Sequence, residues 1–304
     1  MLRNGRAFNP KAFEYIKDNA DEIKRVARKL EVPATAIAGV LAKENSNYVE
    51  HEVLEKLLDY QTLKSAWRFD RSHQKWAADY KTCVDEGIAD TRQEPVEYGI
   101  NKVRFPVLVD VGPANFKIAT AIRLLEKYHI TYPRGDPLGL KGEYLGNYEN
   151  LAQHLGRTDS KKQDTVIKFA GLLIKEAQDF YTDPRKGANQ QDPNAYSPEI
   201  WDAYLQTYYT MGKTRMQQDY ADYSKGIKTA GRDPRWPWYQ AGDTGGLNLI
   251  RNAYKIGQAL GMSNYGTPVP EDAPAAKSNP NPWVPSGDSG NSFTLPGSIL
   301  GGMP

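Results

Sequence analysis

The stretch VPATAIAGVLAKENS, from Val32 to Ser46, predicts a helix buried in the core. Most of it is a run of small and apolar residues, and a polar segment begins at Lys43 and Glu44. A helix with no charged face is typical of one that is buried on all sides. Pro33 fits the first turn of this helix, where a missing N–H group costs little. We therefore expect a buried helix that ends near Lys43.

The segments on either side have apolar residues three and four positions apart, as amphipathic helices do. Segment 11–30 predicts either one such helix or a pair of short ones. The other segments with a helical pattern are 50–60, 72–84, 115–128, 144–155, 161–180, 197–211 and 246–260. Alternation with a period of two is nearly absent, so we expect a mainly α fold with at most a small β element. Before the helix at 115–128, Gly112 and Pro113 predict a turn, with Asn115 as the helix N-cap.

The composition changes after Met262. Residues 265–304 are rich in Pro, Gly, Ser and Asn and have little periodicity, which predicts an irregular tail. We therefore divide the chain into a helical domain, residues 1–264, and a tail, residues 265–304.

Composition excludes several classes of function. The 304 residues include 39 Lys and Arg against 37 Asp and Glu, a net charge of +2, so no broad cationic field favours nucleic acid. Cys83 is the one cysteine and cannot form an internal disulfide. The four histidines lack the spacing of a zinc site, and we expect neither a metal nor a cofactor. No apolar run is long enough to span a membrane, and the N-terminus lacks the apolar core of a signal peptide.

Glu44 is the strongest candidate for a catalytic residue. It directly follows the buried run, so we expect its carboxyl to emerge where the core meets a cleft. Partial desolvation there raises the pKa of a carboxyl and keeps it protonated, which a general acid for a glycosidic oxygen requires. The alternative is an ordinary surface glutamate at the end of a helix.

Residues 32–46 resemble the catalytic helix of goose-type lysozymes and lytic transglycosylases, which presents the catalytic glutamate. Residues 109–123, VDVGPANFKIATAIR, resemble a second motif of those families, and the two together are moderately specific. The chain is more closely similar to the lysozyme-like domains of type VI secretion effectors that degrade peptidoglycan, over roughly residues 15–262. The other segments that carry this resemblance are 136–141, 172–177, 207–212 and 242–246. The chain departs at two places from the motifs of goose-type lysozymes and lytic transglycosylases. Asn45 follows the glutamate, and Pro113-Ala114-Asn115 stands in place of Leu-Met-Gln.

The resemblance implies a lysozyme-like helical domain and a muramidase, a glycoside hydrolase that cleaves the β-1,4 bond between MurNAc and GlcNAc. Glu44 would be the general acid and Asp110 a second catalytic carboxylate, with Asp59 and Asp70 as weaker candidates for that second role. The residues to which we assign substrate binding are Ser46, Asn115, Tyr208, Tyr209 and Asp243. For the two tyrosines, plain core packing is the alternative.

Two mechanisms and one non-catalytic function remain open. In an inverting hydrolase, Asp110 would activate water and the carboxyls would stand about 6.5–9.5 Å apart. In a lytic transglycosylase, Glu44 would act as acid and then as base, giving anhydro products. The third alternative is a non-catalytic glycan-binding module of a phage or a secretion apparatus.

The resemblance also implies where the chain acts. It would be made in the cytoplasm and delivered as an antibacterial toxin to the periplasm of a target bacterium. The implied partners are peptidoglycan strands, a periplasmic immunity protein and a component of the secretion apparatus.

Overall fold

The chain has a mainly α fold, as the sequence predicts. The computed structural model describes residues 6–50, 74–85, 106–108, 110–156, 163–185, 190–226 and 245–268. Of the described residues, 73% are helical, and their only sheet has two strands. The expected helix at 50–60 and the tail beyond residue 268 lie outside the described residues.

The described elements follow one another as helices interrupted by one short hairpin. The helices are α1 (Pro10–Asp18), α2 (Ala20–Leu30), α3 (Ala34–Glu50), α4 (Gln74–Asp85), α5 (Ile118–Thr131), α6 (Lys141–Tyr144), α7 (Tyr148–Leu155), α8 (Gln163–Thr182), α9 (Pro198–Met211), α10 (Lys213–Ser224) and α11 (Gly245–Ala259). The strands are β1 (Asp110–Val111) and β2 (Phe116–Lys117), and the 3₁₀ turns are Pro106–Leu108 and Pro193–Ala195. Segment 11–30 therefore forms a pair of helices, which meet at Asn19.

Helix α3 is the centre of the fold. It contacts α1, α2, α8, α9 and α11, and every residue from 36 to 42 is buried. A side chain at Gly39 would place its Cβ 2.4 Å from Leu249 Cδ1, so the absence of a side chain lets α11 approach closely. The expectation of a helix buried on all sides is confirmed for this run.

The sequence suggested that this helix ends near Lys43, and that prediction is wrong. It continues to Glu50, and the polar residues 43–46 are buried along with the apolar run. Their polarity marks contacts with neighbouring elements rather than the end of the helix. Glu44 therefore lies within the helix, away from the C-terminal position that we expected.

Strands β1 and β2 form an antiparallel hairpin in which Asp110 lies opposite Lys117. Its turn is closed by a hydrogen bond from the Asn115 N–H to the Gly112 carbonyl, at 2.9 Å. Gly112 has a φ of +71°, and a Cβ there would lie 1.9 Å from the Leu155 carbonyl oxygen, so the turn requires glycine. The expected helix start was wrong, because Asn115 has a φ of +50° in the turn and Lys117 is the residue at the N-cap of α5.

The described C-terminal end belongs to the domain core. Tyr265, which composition assigns to the irregular tail, is 4% exposed, and its hydroxyl donates a hydrogen bond to Asp202 Oδ2 at 2.6 Å. The helical domain therefore extends past residue 264 by at least this residue.

Polar side chains from three of the segments that carry the family resemblance, 109–123, 136–141 and 172–177, make contacts that stabilise the fold. Arg123 on α5 forms a bidentate pair with the buried Glu176 on α8, at 2.7 and 2.8 Å. Asp136 accepts hydrogen bonds from the Tyr128 hydroxyl and the Leu140 N–H, at 2.9 and 2.8 Å, and so fixes the turn after α5.

None of the helices in the described part of the chain has the length and apolar character that a membrane crossing needs.

Candidate functional site

The two candidate catalytic carboxylates both influence the pKa of the same tyrosine, Tyr209. Glu44 is buried on α3, and Asp110 is partly exposed on β1. Burial and the negative charges of these two residues raise the pKa of the Tyr209 phenol well above its ordinary value. The Tyr209 hydroxyl contacts the hairpin at Ala114, and Lys43 joins Glu44 to Thr210, so α3, α9 and the hairpin meet in this region.

Tyr209 also fixes the hairpin against α9. Its hydroxyl donates a hydrogen bond to the Ala114 carbonyl in the turn, at 3.0 Å. Its ring packs edge-on against Phe116 of β2, with 6.0 Å between the ring centroids. The position of Asp110 relative to α9 is therefore set by a contact at each end of one side chain.

Glu44 forms a buried ion pair with Lys43. Lys43 Nζ is 3.3 Å from Glu44 Oε1, and it donates a hydrogen bond to Thr210 Oγ1 on α9, at 2.9 Å. Burial of the Glu44 carboxyl favours its protonated form, whereas the neighbouring ammonium favours the ionised form. The protonation of Glu44 therefore depends on two opposing effects.

The N-terminal segment closes one side of this region. The Asn9 N–H donates a hydrogen bond to Ser46 Oγ at 2.7 Å, so the Ser46 hydroxyl joins α3 to the start of α1. Tyr15 on α1 also contributes to the raised pKa of Tyr209, after burial and the two carboxylates. Ser46 is buried, and its expected contact with substrate stays a prediction.

The structure separates the two candidate tyrosines. Tyr208 is fully buried and packs on Phe180 and Tyr181, with ring centroids 5.0 and 6.3 Å away. It borders a polar pocket of about 510 Å³ whose other walls include Glu176 and Arg185. Of the pair, Tyr209 is the one that contacts the hairpin and whose pKa Glu44 raises, whereas the core-packing alternative describes Tyr208.

Of the remaining candidates, the structure describes only Asn115. Asn115 is exposed in the turn of the hairpin. Asp243, Asp59 and Asp70 lie outside the described residues. No group of three or more His, Cys, Asp or Glu side chains suited to a metal ion occurs within the described ranges. The chemistry that the cluster itself offers is proton transfer by carboxyl groups.

Sequence reasoning missed the contacts of Lys43, Tyr15 and Thr210. Lys43 and Thr210 are 167 positions apart in the chain, so no local pattern predicts their contact. One signal was present, since Lys43 is a charged residue directly after the seven buried residues 36–42. A lysine in such a place needs a partner, and the adjacent Glu44 is one.

Comparison with protein-family models, with curated proteins and with solved structures finds no match to the chain. A function for the chain is therefore inferred from its residues and their geometry.

Proposed function

We propose that the chain is a peptidoglycan muramidase that cleaves the β-1,4 bond between MurNAc and GlcNAc, with Glu44 as the general acid. One observation carries the proposal: Tyr209 on α9 binds the hairpin that holds the partly exposed Asp110, and the next residue, Thr210, binds Lys43, the ion-pair partner of the buried Glu44. Glycosidases use two carboxyl groups in this way, one shielded from water and one open to it. The resemblance of residues 32–46 to lysozyme catalytic helices supports the same assignment.

Each carboxyl has a distinct part in the proposed reaction. Protonated Glu44 donates its proton to the glycosidic oxygen as the bond to the sugar breaks. In hydrolysis, Asp110 takes a proton from the attacking water, and its partial exposure gives water access to it. In a lytic transglycosylase, ionised Glu44 instead takes the proton of the MurNAc 6-hydroxyl, which closes an anhydro ring without water.

A second candidate function is a non-catalytic glycan-binding module, and the Lys43 contact favours it. An ammonium 3.3 Å from Glu44 Oε1 stabilises the carboxylate, and a carboxylate has no proton to donate. Such a protein would bind glycan strands at the same residues and leave them intact.

The proposed substrate sets where the protein works. Peptidoglycan lies outside the cytoplasmic membrane, so we propose delivery into the periplasm of a target bacterium, through a component of a secretion apparatus. A producer of such a toxin needs protection, and we propose a periplasmic immunity protein that covers the cleft at Glu44.

Mass spectrometry of products from purified peptidoglycan tests the proposal. Fragments that end in reducing MurNAc indicate hydrolysis, and fragments that end in anhydro-MurNAc indicate transglycosylation. Intact strands that co-sediment with the protein would refute the enzyme and favour the binding module.

A further inference from the structure

Lys43 and Glu44 converge although they are neighbours in a helix. Successive residues in an α-helix project about 100° apart, so adjacent side chains do not normally face each other. Here Lys43 Nζ lies 3.3 Å from Glu44 Oε1, and both side chains are 8% exposed. Both must bend towards the same place to make this contact. The contact between Lys43 and Thr210 identifies that place as the groove between α3 and α9.

Helix α9 fixes the ammonium in that groove. Thr210 Oγ1 accepts the hydrogen bond from Lys43 Nζ, and Gln206 Nε2 lies 3.4 Å from the same hydroxyl oxygen. The Thr210 hydroxyl also hydrogen-bonds the Gln206 carbonyl, at 3.2 Å, so it is held on its own helix. An ammonium buried in this way is costly unless it is paired with a charge or hydrogen-bonded. Its partners, Glu44 and Thr210, belong to the two helices that it joins.

The other titratable groups near Glu44 act differently. Asp110 on β1 carries a like charge, which favours the neutral form of a neighbouring carboxyl, and Lys117 lies opposite it in the hairpin. Tyr209 on α9 and Tyr15 on α1 are phenols, and burial raises the pKa of both. Both remain neutral at physiological pH. Lys43 is thus the group on α3 that opposes the effects of burial and of Asp110.

We propose that Lys43 is a positioning residue for Glu44, which fixes the carboxyl against α9 and lowers the pH at which it takes up its proton. The inference rests on the proposed function for its catalytic meaning, but the electrostatic effect exists without substrate. A general acid must be protonated, so the cleavage rate falls as the pH rises and Glu44 loses its proton. With the ammonium present, this fall begins at a lower pH than it would without it. Lys43 thereby limits cleavage to more acidic conditions.

Carboxyl ¹³C NMR titration of the full chain tests this directly. Glu44→Gln identifies the Glu44 signal, and Lys43→Met removes the charge while keeping the methylene chain. We expect the midpoint of Glu44 to rise by about 1 to 3 pH units in Lys43→Met, the range for loss of an opposite charge at this distance. Lys43→Arg, which keeps the charge, should stay near the wild-type value. Lys168→Met is the matched control, since Lys168 is also buried and pairs with Asp164 Oδ2 at 3.1 Å.

The pH profile of cleavage gives a second readout. The rate of Lys43→Met relative to the wild type should rise with pH, whereas a purely structural defect lowers the rate equally at all pH values. Lys43→Gln repeats the test should the methionine variant not fold. Equal midpoints in the wild type and the uncharged variants would overturn the inference even where the wild type cleaves peptidoglycan. A shifted midpoint in a protein that cleaves nothing would support the inference and refute the muramidase.

Discussion

Replacement of Asp202 by asparagine tests how one buried carboxyl limits the stability of the domain. Asp202 on α9 is fully buried, and burial raises its pKa from 3.8 to about 7. Hydrogen bonds with Thr35 and Tyr265 lower this pKa, and the nearby charge of Glu199 raises it further. The unfolded chain loses this proton near pH 4, whereas the folded protein keeps it until about pH 7. The folded state is therefore progressively destabilised as the pH rises between these values. About three pH units at about 1.4 kcal/mol each correspond to ~4 kcal/mol.

Urea denaturation from about pH 4 to about pH 8.5 measures this effect as the free energy of unfolding. Asparagine does not ionise, so Asp202→Asn lacks this loss of stability. We expect the variant to gain ~4 kcal/mol relative to the wild type as the pH rises across this range, and to gain little beyond pH 8. Comparison of the two proteins removes the contribution of the other titrating groups. A stability difference that stays constant from pH 4 to pH 8 would refute the raised pKa.

Three further predictions concern the hairpin and the site of action. Gly112→Ala should lower the free energy of unfolding by about 1 to 3 kcal/mol, because alanine is strained at positive φ and its Cβ would meet the Leu155 carbonyl. Thermal unfolding measures this loss, and an unchanged melting temperature would contradict it. Asp110→Asn should slow cleavage by about 100-fold, since an amide cannot accept a proton from water. A rate within a few-fold of the wild type would exclude Asp110 as the base. Expression with a periplasmic export signal should lyse the cell and cytosolic expression should not; equal toxicity in both compartments would refute a cell-wall target.

The helices of the core could be predicted because their signal is local. The buried run of α3 is a continuous apolar stretch that the sequence displays directly. In α8, α9 and α11 the apolar residues recur every three or four positions. Their ends were harder to predict. Polar residues 43–46 indicated a helix end, but tertiary contacts bury them and the helix continues to Glu50.

The candidate site could be predicted only in part. The resemblance to lysozymes implied Glu44, Asp110 and either Tyr208 or Tyr209, and the structure places Tyr209 against the hairpin that carries Asp110. Position in the chain could not distinguish Tyr208 from Tyr209, because only the orientation of α9 decides which ring faces Glu44. The same limit applies to Lys43, whose partner on α9 is distant in sequence and carries no recognisable motif.

Buried polar contacts between distant segments were not predictable at all. The hydrogen bond between Tyr265 and Asp202 joins residues 63 positions apart, and composition alone placed Tyr265 in an irregular tail. An aspartate in an aromatic helix was the one available signal, and it did not identify a partner.

Clearing of purified peptidoglycan by the wild type and by Glu44→Gln tests the central claim most directly. The amide has nearly the shape of the carboxyl but cannot donate its proton to the glycosidic oxygen. We predict that the wild type clears the suspension and that Glu44→Gln does not, while both show the same circular dichroism and melting temperature. Glu149→Gln on α7 is the matched control and should clear at the wild-type rate. A folded Glu44→Gln that keeps more than a few per cent of the wild-type rate would contradict the assignment of Glu44 as the acid.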